Sequence, residues 1–325
     1  MNSSINKIIN AINNAKNILI IPHINPDGDC IGSAIAMKLF IEKEYNKYVT
    51  LFIQSKVPEV YKFLPKAEDF KIENDICNQI FDLVIAVDCA AYDRLTNAIT
   101  FFDKAEETIV FDHHKTNKGY GKYNYILPEL SSTGEVLYYF AKNSKWQIDK
   151  EIAEALYTAI LTDTGGFKFE NTKTKTFKAV AELLRYDINP SEIYKQCYES
   201  KPLEMLKLRA LAINKSKILY NGKVIYTIIT LDDMRNAKAL NEHTDGIVEL
   251  LRQVDTVDLA FLIKETEDGY SKVSFRSENV DVTQIASKFN GGGHTKAAGC
   301  TIKKNYTIAL NKILEEIEYV YEFSK

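Results

Sequence analysis

The sequence predicts an α/β protein of two domains: an N-terminal parallel sheet with helices on both faces, then a smaller C-terminal α+β domain. Three observations predict it. Short, continuous apolar runs alternate with helical patterns through the first half, which is how strands buried on both faces of a parallel sheet read. The pattern changes after Asp187-Ile-Asn-Pro190, where the strands move closer together and a hairpin signal appears. The 325 residues, 46% of them apolar, exceed one ordinary core of roughly 100 to 200 residues and supply enough for two.

Residues 17–22 (Asn-Ile-Leu-Ile-Ile-Pro) read as the first buried strand, followed by a loop and an amphipathic helix over about 30–44. Residues 49–53, 83–87 and 108–111 are β-branched or aromatic and nearly continuous, so they read as further strands. Helical patterns follow at 133–143, 150–161 and 174–185. The first domain is expected over 1–187, and a charged helical linker, interrupted by Pro202, over 188–215. The second domain, 216–325, opens with a strand at 224–230 and a helix at 245–253. Strands at 257–264 and 270–276 are joined by Glu267-Asp-Gly269, a hairpin turn signal; a helix at 282–289, a glycine loop, a strand and a final helix complete it.

Charge narrows the partners. The formal net charge is -3, whereas a protein that grips long DNA or RNA needs a basic surface. The five cysteines (Cys30, Cys77, Cys89, Cys197 and Cys300) are odd in number and lack zinc-knuckle or redox spacing. Reduced thiols in a cytoplasm are the reading that follows. Residues 1–14 lack the apolar core of a signal peptide, and no apolar run approaches the roughly 18 residues of a membrane span. A soluble cytoplasmic protein is expected, with no membrane partner; a homodimer is compatible with the sequence.

Chemistry-bearing residues collect at the strand ends. The first strand delivers His23-Ile-Asn-Pro-Asp27-Gly-Asp29, the third Asp88, and the fourth Asp112-His113-His114. Ligands of open α/β sheets bind outside the carboxyl ends of strands, so these groups should converge in one crevice. Asp163 exits a helix within Thr162-Asp-Thr-Gly-Gly166. Singly, any of these histidines reads as a structural one, and Asp88 or Asp163 as a cap or turn residue. Together they have no packing reason to crowd, and their repulsion needs a cation to offset it. Six groups (His23, Asp27, Asp29, Asp88, His113 and Asp163) have the composition of a site for two divalent ions with one bridging carboxylate. Mixed imidazole and carboxylate donors suit manganese better than calcium.

A second constellation is Gly291-Gly292-Gly293-His294, read as a glycine loop opening a helical pattern before Lys296. Such a loop lets a backbone approach a ligand, and free amides at a helix start favour an anion. Arg276 ends the strand Lys272-Val-Ser-Phe-Arg276 and is suited to a bidentate phosphate contact, although a plain surface arginine has the same look.

These motifs resemble the DHH phosphoesterase superfamily. His23-x-x-Pro-Asp27-x-Asp29-x-x-Gly32-Ser33, Asp88, Asp112-His113-His114 and Asp163 are similar to its four N-terminal motifs. Ser274-Phe-Arg276 with Gly291-Gly-Gly-His294 is similar to the associated DHHA1 domain, and the likeness runs from residue 17 to about 300. Among its branches the chain looks most like the short bacterial nanoRNase form. The resemblance implies that His23, Asp27 and Asp88 hold one metal and that Asp29, Asp88, His113 and Asp163 hold the other. It implies Asp88 as the bridge and His114 facing the substrate phosphate, with Asp88 and His114 as the catalytic pair. It further implies Arg276 and Gly291, Gly292, Gly293 and His294 as substrate-binding residues across an interdomain cleft. The substrates implied are short RNA or DNA oligonucleotides, linear dinucleotides and 3'-phosphoadenosine 5'-phosphate. A manganese-dependent pyrophosphatase of the same superfamily and a non-catalytic nucleotide sensor are the alternatives.

Overall fold

The structure, a computed structural model, describes residues 2–54 and 56–322. The chain divides into two compact units, one running to Ser200 and the other starting at Lys201. No helix among the described residues is long and apolar enough to cross a membrane.

The first unit is built on six strands: β1 (Ile18–Ile21), β2 (Val49–Phe52), β3 (Phe70–Lys71), β4 (Leu83–Val87), β5 (Glu107–Asp112) and β6 (Tyr123–Ile126). They form one all-parallel sheet in the order β3-β2-β1-β4-β5-β6. The helices are α1 (Ile5–Asn14), α2 (Gly28–Tyr45), α3 (Glu73–Ile76), α4 (Ile99–Lys104), α5 (Thr133–Ser144), α6 (Lys150–Asp163), α7 (Thr174–Leu183) and α8 (Pro190–Tyr194). Strand side chains alternate between two apolar layers. Ile18, Ile20, Leu83, Ile85, Ile109 and Phe111 pack with residues of α1, α2, α5 and α6. Leu19, Ile21, Val84, Ala86 and Val110 pack on the opposite face with Leu95, Phe101 and Phe102. The strand order reverses between β1 and β4, so the carboxyl ends of those two strands flank the crevice where such sheets bind ligands.

The second unit holds β7 (Lys217–Leu219), β8 (Val224–Ile229), β9 (Leu259–Glu265), β10 (Ser271–Ser277), β11 (Gly292–His294) and β12 (Ala297–Ile302), in the order β11-β12-β10-β9-β8-β7. Only β8 and β9 pair in parallel; the other neighbours are antiparallel. Its helices are α9 (Leu203–Lys215), α10 (Leu231–Ala237), α11 (Ile247–Arg252), α12 (Thr283–Ser287) and α13 (Tyr306–Glu322). Phe261, Val273 and Phe275 bury against α12 and α13, and Ala260 and Leu262 against α9, α10 and α11.

Two expectations change. The stretch 188–215 divides between the units instead of standing apart as a linker: Ile188, Ile193 and Cys197 join the first core, while Leu208 and Ala212 join the second. Gly291 to His294 opens no helix. Gly292–His294 is the edge strand β11, turning back into β12 through Thr295 and Lys296. A Cβ on Gly291 would lie 2.3 Å from the Gly299 carbonyl oxygen and one on Gly293 2.4 Å from that of Ala297. These glycines therefore permit close strand packing. The Gly291 N–H is already donated to Ala286.

Candidate metal centre

The crevice between β1 and β4 collects every N-terminal residue singled out above. Pro26 and Asp27 end the β1 loop, and the Asp27 carboxylate caps α2 by accepting the Cys30 N–H at 3.0 Å. Asp29 follows in the first turn of α2 and is fully buried. Asp88 leaves β4 in the left-handed region, at φ +55°, with its N–H donated to the Phe111 carbonyl at 2.9 Å. A non-glycine residue there costs roughly 1–2 kcal/mol and persists when surrounding contacts demand it. The demand here is direction: the turn sends a buried carboxylate across the sheet end.

The two oxygens of Asp88 face different histidines. His23 Nε2 lies 3.6 Å from Asp88 Oδ2 and 4.0 Å from Asp27 Oδ2. His113 Nε2 lies 3.7 Å from Asp88 Oδ1, 3.8 Å from Asp29 Oδ2 and 3.5 Å from Asp163 Oδ2. These separations exceed ordinary hydrogen bonds, yet they suit donors arranged around a common centre. The six side chains thus fall into two groups that share Asp88.

Their orientation is set from behind. Asp29 accepts the N–H groups of Thr133 at 2.6 Å and Gly134 at 2.8 Å, so the start of α5 holds its carboxylate. The Thr133 hydroxyl donates to Asp88 Oδ1 at 3.0 Å. Asn171 donates to the Asp163 carbonyl at 3.1 Å and reaches its carboxylate at 3.4 Å. The carboxylate of Glu135, buried in α5, accepts from the N–H and hydroxyl of Ser131 and from the Thr176 hydroxyl, fixing the turn that carries Thr133. Three glycines allow the helices this close. A Cβ on Gly32 would meet the Ala155 carbonyl oxygen at 2.5 Å, one on Gly134 the Ala159 methyl at 2.5 Å, and one on Gly28 the Thr162 side chain at 2.5 Å.

The electrostatics test whether these donors fit a cation. Burial, then neighbouring carboxylates, drives the Asp29 and Asp88 carboxyls well above the usual range. Burial and Asp27 push Asp163 up to about 7. Burial and the neighbouring His114 hold His113 down to about 4, and burial lowers His23 as well. Neutral imidazoles beside carboxylates that resist sharing their charge are the donor set a divalent cation stabilises. Cys30 also lies within reach of His23 and Asp88. Burial raises its thiol well above the usual range, and its sulfur accepts the His23 N–H at 3.2 Å, so it is a packing thiol.

His114 differs from His113. Its Nδ1 lies 2.7 Å from Asp112 Oδ1, and this hydrogen bond raises its pKa. Burial alone would raise Asp112, but the hydrogen bond and charge of His114, with the Asn117 amide at 2.6 Å, hold it below its usual value. A ring donating Nδ1–H to Asp112 keeps Nε2 for another partner.

Sequence reasoning missed two contributors. Arg94 places Nη2 3.2 Å from His23 Nδ1, a ring nitrogen also 2.7 Å from the Ile24 carbonyl. Donation of Nδ1–H to Ile24 is the shorter contact, and it leaves the Nε2 lone pair toward Asp27 and Asp88. Asn171 is the other; it meets Asp163 only through tertiary packing. His243, which belongs to neither constellation, accepts the Leu240 N–H at 3.1 Å and is structural.

In the second unit, Arg276, Ala297 and His294 occupy one cross-strand row. The Arg276 guanidinium donates to Glu249 at 2.8 Å and to the Phe275 carbonyl at 2.8 Å, so it is held by α11.

The DHH family N-terminal domain matches residues 17–160, and the DHHA1 domain matches residues 221–322. A probable bifunctional oligoribonuclease and PAP phosphatase NrnA of Streptococcus mutans is 28% identical over 304 residues, covering 93% of this chain and 94% of that protein. The Bacillus subtilis bifunctional oligoribonuclease and PAP phosphatase NrnA is 27% identical over 301 residues, covering 91% and 92%. An exopolyphosphatase-related protein from Bacteroides fragilis shares the fold, with a TM-score of 0.91 at 23% identity over 99% of this chain and 97% of that one.

Proposed function

We propose, from the premise that this chain is a DHH-family hydrolase with a C-terminal DHHA1 domain, that it is a two-metal phosphoesterase of short oligonucleotides. Its substrates on this reading are oligonucleotides of a few residues, linear dinucleotides and 3'-phosphoadenosine 5'-phosphate, released as mononucleotides or AMP. The single observation that carries the reading is the division of Asp88, one oxygen toward His23 and the other toward His113. The names of the Streptococcus mutans and Bacillus subtilis relatives support the substrate class.

His23, Asp27 and Asp88 would hold one divalent ion, and Asp29, Asp88, His113 and Asp163 the other, with manganese preferred for the mixed donors. When bound, two such ions acidify a water and neutralise charge on the attacked phosphate. The chain's own residues do the rest. Thr133 and Gly134 fix Asp29, Asn171 steadies Asp163, and the φ of Asp88 aims its carboxylate. His114, donating Nδ1–H to Asp112, turns Nε2 to a phosphate oxygen, and the Asp112 hydrogen bond that raises its pKa favours the cationic ring that would stabilise the charge growing there. Arg276 and His294 are proposed to bind the remaining phosphate, which requires Arg276 to exchange Glu249 for the ligand.

Turnover of a dinucleotide, 3'-phosphoadenosine 5'-phosphate and pyrophosphate, each in chelator and with manganese, tests this. Activity on the first two, absent in chelator and restored best by manganese, is expected. Activity on pyrophosphate alone would move the chain to the pyrophosphatase reading. Nucleotide binding without turnover would make it a sensor.

A further inference from the structure

The turn that follows Asp163 carries one exposed aromatic ring, Phe169, and lies beside a second, Tyr194 of α8, and no step above uses either. It runs Thr164-Gly-Gly-Phe-Lys-Phe-Glu-Asn171, and its ends meet where Asn171 donates to Asp163. Three successive residues, Gly165, Gly166 and Phe167, lie in the left-handed region at φ +58°, +73° and +67°. Glycine adopts that conformation freely; Phe167 does not, and it is held by its N–H to the Thr164 hydroxyl and by ring contacts to Tyr157 and Phe177. The strained turn has a clear consequence. It presents Gly165 beneath Phe169, where an added Cβ would fall 2.4 Å from the ring, and Gly166 beside Tyr194, where one would fall 3.3 Å away.

Both rings remain open, Phe169 at 51% and Tyr194 at 42% exposure. Neither is loose. Tyr194 packs against Tyr198 at 4.9 Å between centroids, and the Tyr198 hydroxyl donates to the Leu161 carbonyl at 3.1 Å, in the last turns of the helix that ends at Asp163. Lys168 holds its ammonium 5.4 Å from the Phe169 ring centre. Exposed aromatics scattered singly need no explanation. Here Phe169 against Gly165 and Tyr194 beside Gly166 bring two exposed rings to consecutive glycines of the turn that leaves a proposed metal ligand.

We propose that Phe169 and Tyr194 form a stacking platform for a nucleobase of the substrate. The inference rests on the nucleotide-hydrolase reading and deepens it by assigning base recognition to the first unit. A base offers a π-face whatever its identity, so the platform is tolerant of sequence, and stacking on one ring changes affinity by on the order of tenfold or more. A base entering over Phe169 displaces Lys168 from the ring and frees its ammonium for a phosphate oxygen. A contact between two copies of the chain is the other occupant such rings could have. Two rings are far too small a patch for a stable interface, which buries on the order of 1,000 Å² or more.

A matched pair of dinucleotides, one intact and one with both bases replaced by hydrogen, tests the platform. Phe169→Ala and Tyr194→Ala should each raise KM for the intact dinucleotide about tenfold, with kcat near wild type, and leave the base-free substrate unaffected. Phe169→Trp should keep KM low. In a Trp146→Phe background, which removes the single native tryptophan, its indole emission should be quenched by AMP but not by ribose 5-phosphate. Equal losses on both dinucleotides, an unchanged KM, or a shift from dimer to monomer at unchanged KM would overturn the platform. A wild-type enzyme that cleaves neither dinucleotide would instead overturn the nucleotide-hydrolase reading, and that is seen before any variant is compared.

Discussion

At the scale of the residue, Asp88 concentrates the most conflict. Its carboxylate is buried among other aspartates, its pKa is driven up by burial and then by Asp29, and its backbone sits at φ +55°. Asn tolerates the left-handed region well, so Asp88→Asn removes charge without adding backbone strain. The variant should lose more activity than the roughly 100-fold that removal of an outer-shell partner costs. Its metal-free form should melt at or above the wild-type temperature, because a repulsive charge has gone. Thermal denaturation in chelator, paired with turnover in manganese, measures both; a variant that stays active would mean the centre is elsewhere. The reasons for legibility differ among residues. His23, Asp27, Asp29, Asp88 and His113 stood out because charge at successive strand ends has no packing purpose. Arg94 and Asn171 did not, since each meets its partner, 71 and 8 residues away along the chain, only once the fold has packed.

At the scale of the element, the centre depends on how closely α2, α5 and α6 approach. Gly32, one turn after Asp29, faces the backbone of α6, where the nearest atom to an added Cβ is the Ala155 carbonyl oxygen at 2.5 Å. A backbone oxygen cannot rotate away as a side chain can. Gly32→Ala should therefore destabilise the fold by about 1–3 kcal/mol, the usual cost of overpacking a tight interior. Urea denaturation measures it, and an unchanged midpoint would show that the helices have slack. The apolar strands were readable because a sheet buried on both faces demands unbroken β-branched runs. β6, Tyr-Asn-Tyr-Ile, escaped notice because it is an edge strand whose polar and aromatic residues only partly bury. The glycine run was read as a helix start for a related reason: free amides suit both an anion site and a hairpin edge. Pairing to β12 decides between them, and pairing is a tertiary fact.

At the scale of the whole molecule, substrate length is where the reading is most exposed. The net charge of -3 leaves no general cationic surface to follow a phosphate backbone, and affinity for long strands is built from many cation–phosphate contacts. One feature of the second unit runs the other way: a groove of about 840 Å³ is lined by Lys272, Lys288, Lys303, Lys304 and Lys312, with no acidic residue in its lining. Solvated lysines on a surface bind weakly and lose what they bind as salt rises. The first unit, by contrast, gathers its candidate metal ligands in one cluster at the switch point, with Asp29 and Asp88 buried, which on the proposed reading engages a single phosphate at a time. The rate should therefore fall steeply beyond roughly five nucleotides, the scale of a small single-strand site, and the rate on short substrates should change little with moderate salt. Rates on 2-mers, 5-mers and 24-mers of one sequence at two salt concentrations measure this. Equal rates on the 24-mer, with a steep salt slope that disappears in a Lys303→Glu, Lys304→Glu variant, would assign strand tracking to the lysine groove and end the short-substrate reading. A flat salt dependence with fast 2-mers would leave the candidate metal centre as the seat of selection, because a substrate held by one phosphate there releases few counterions.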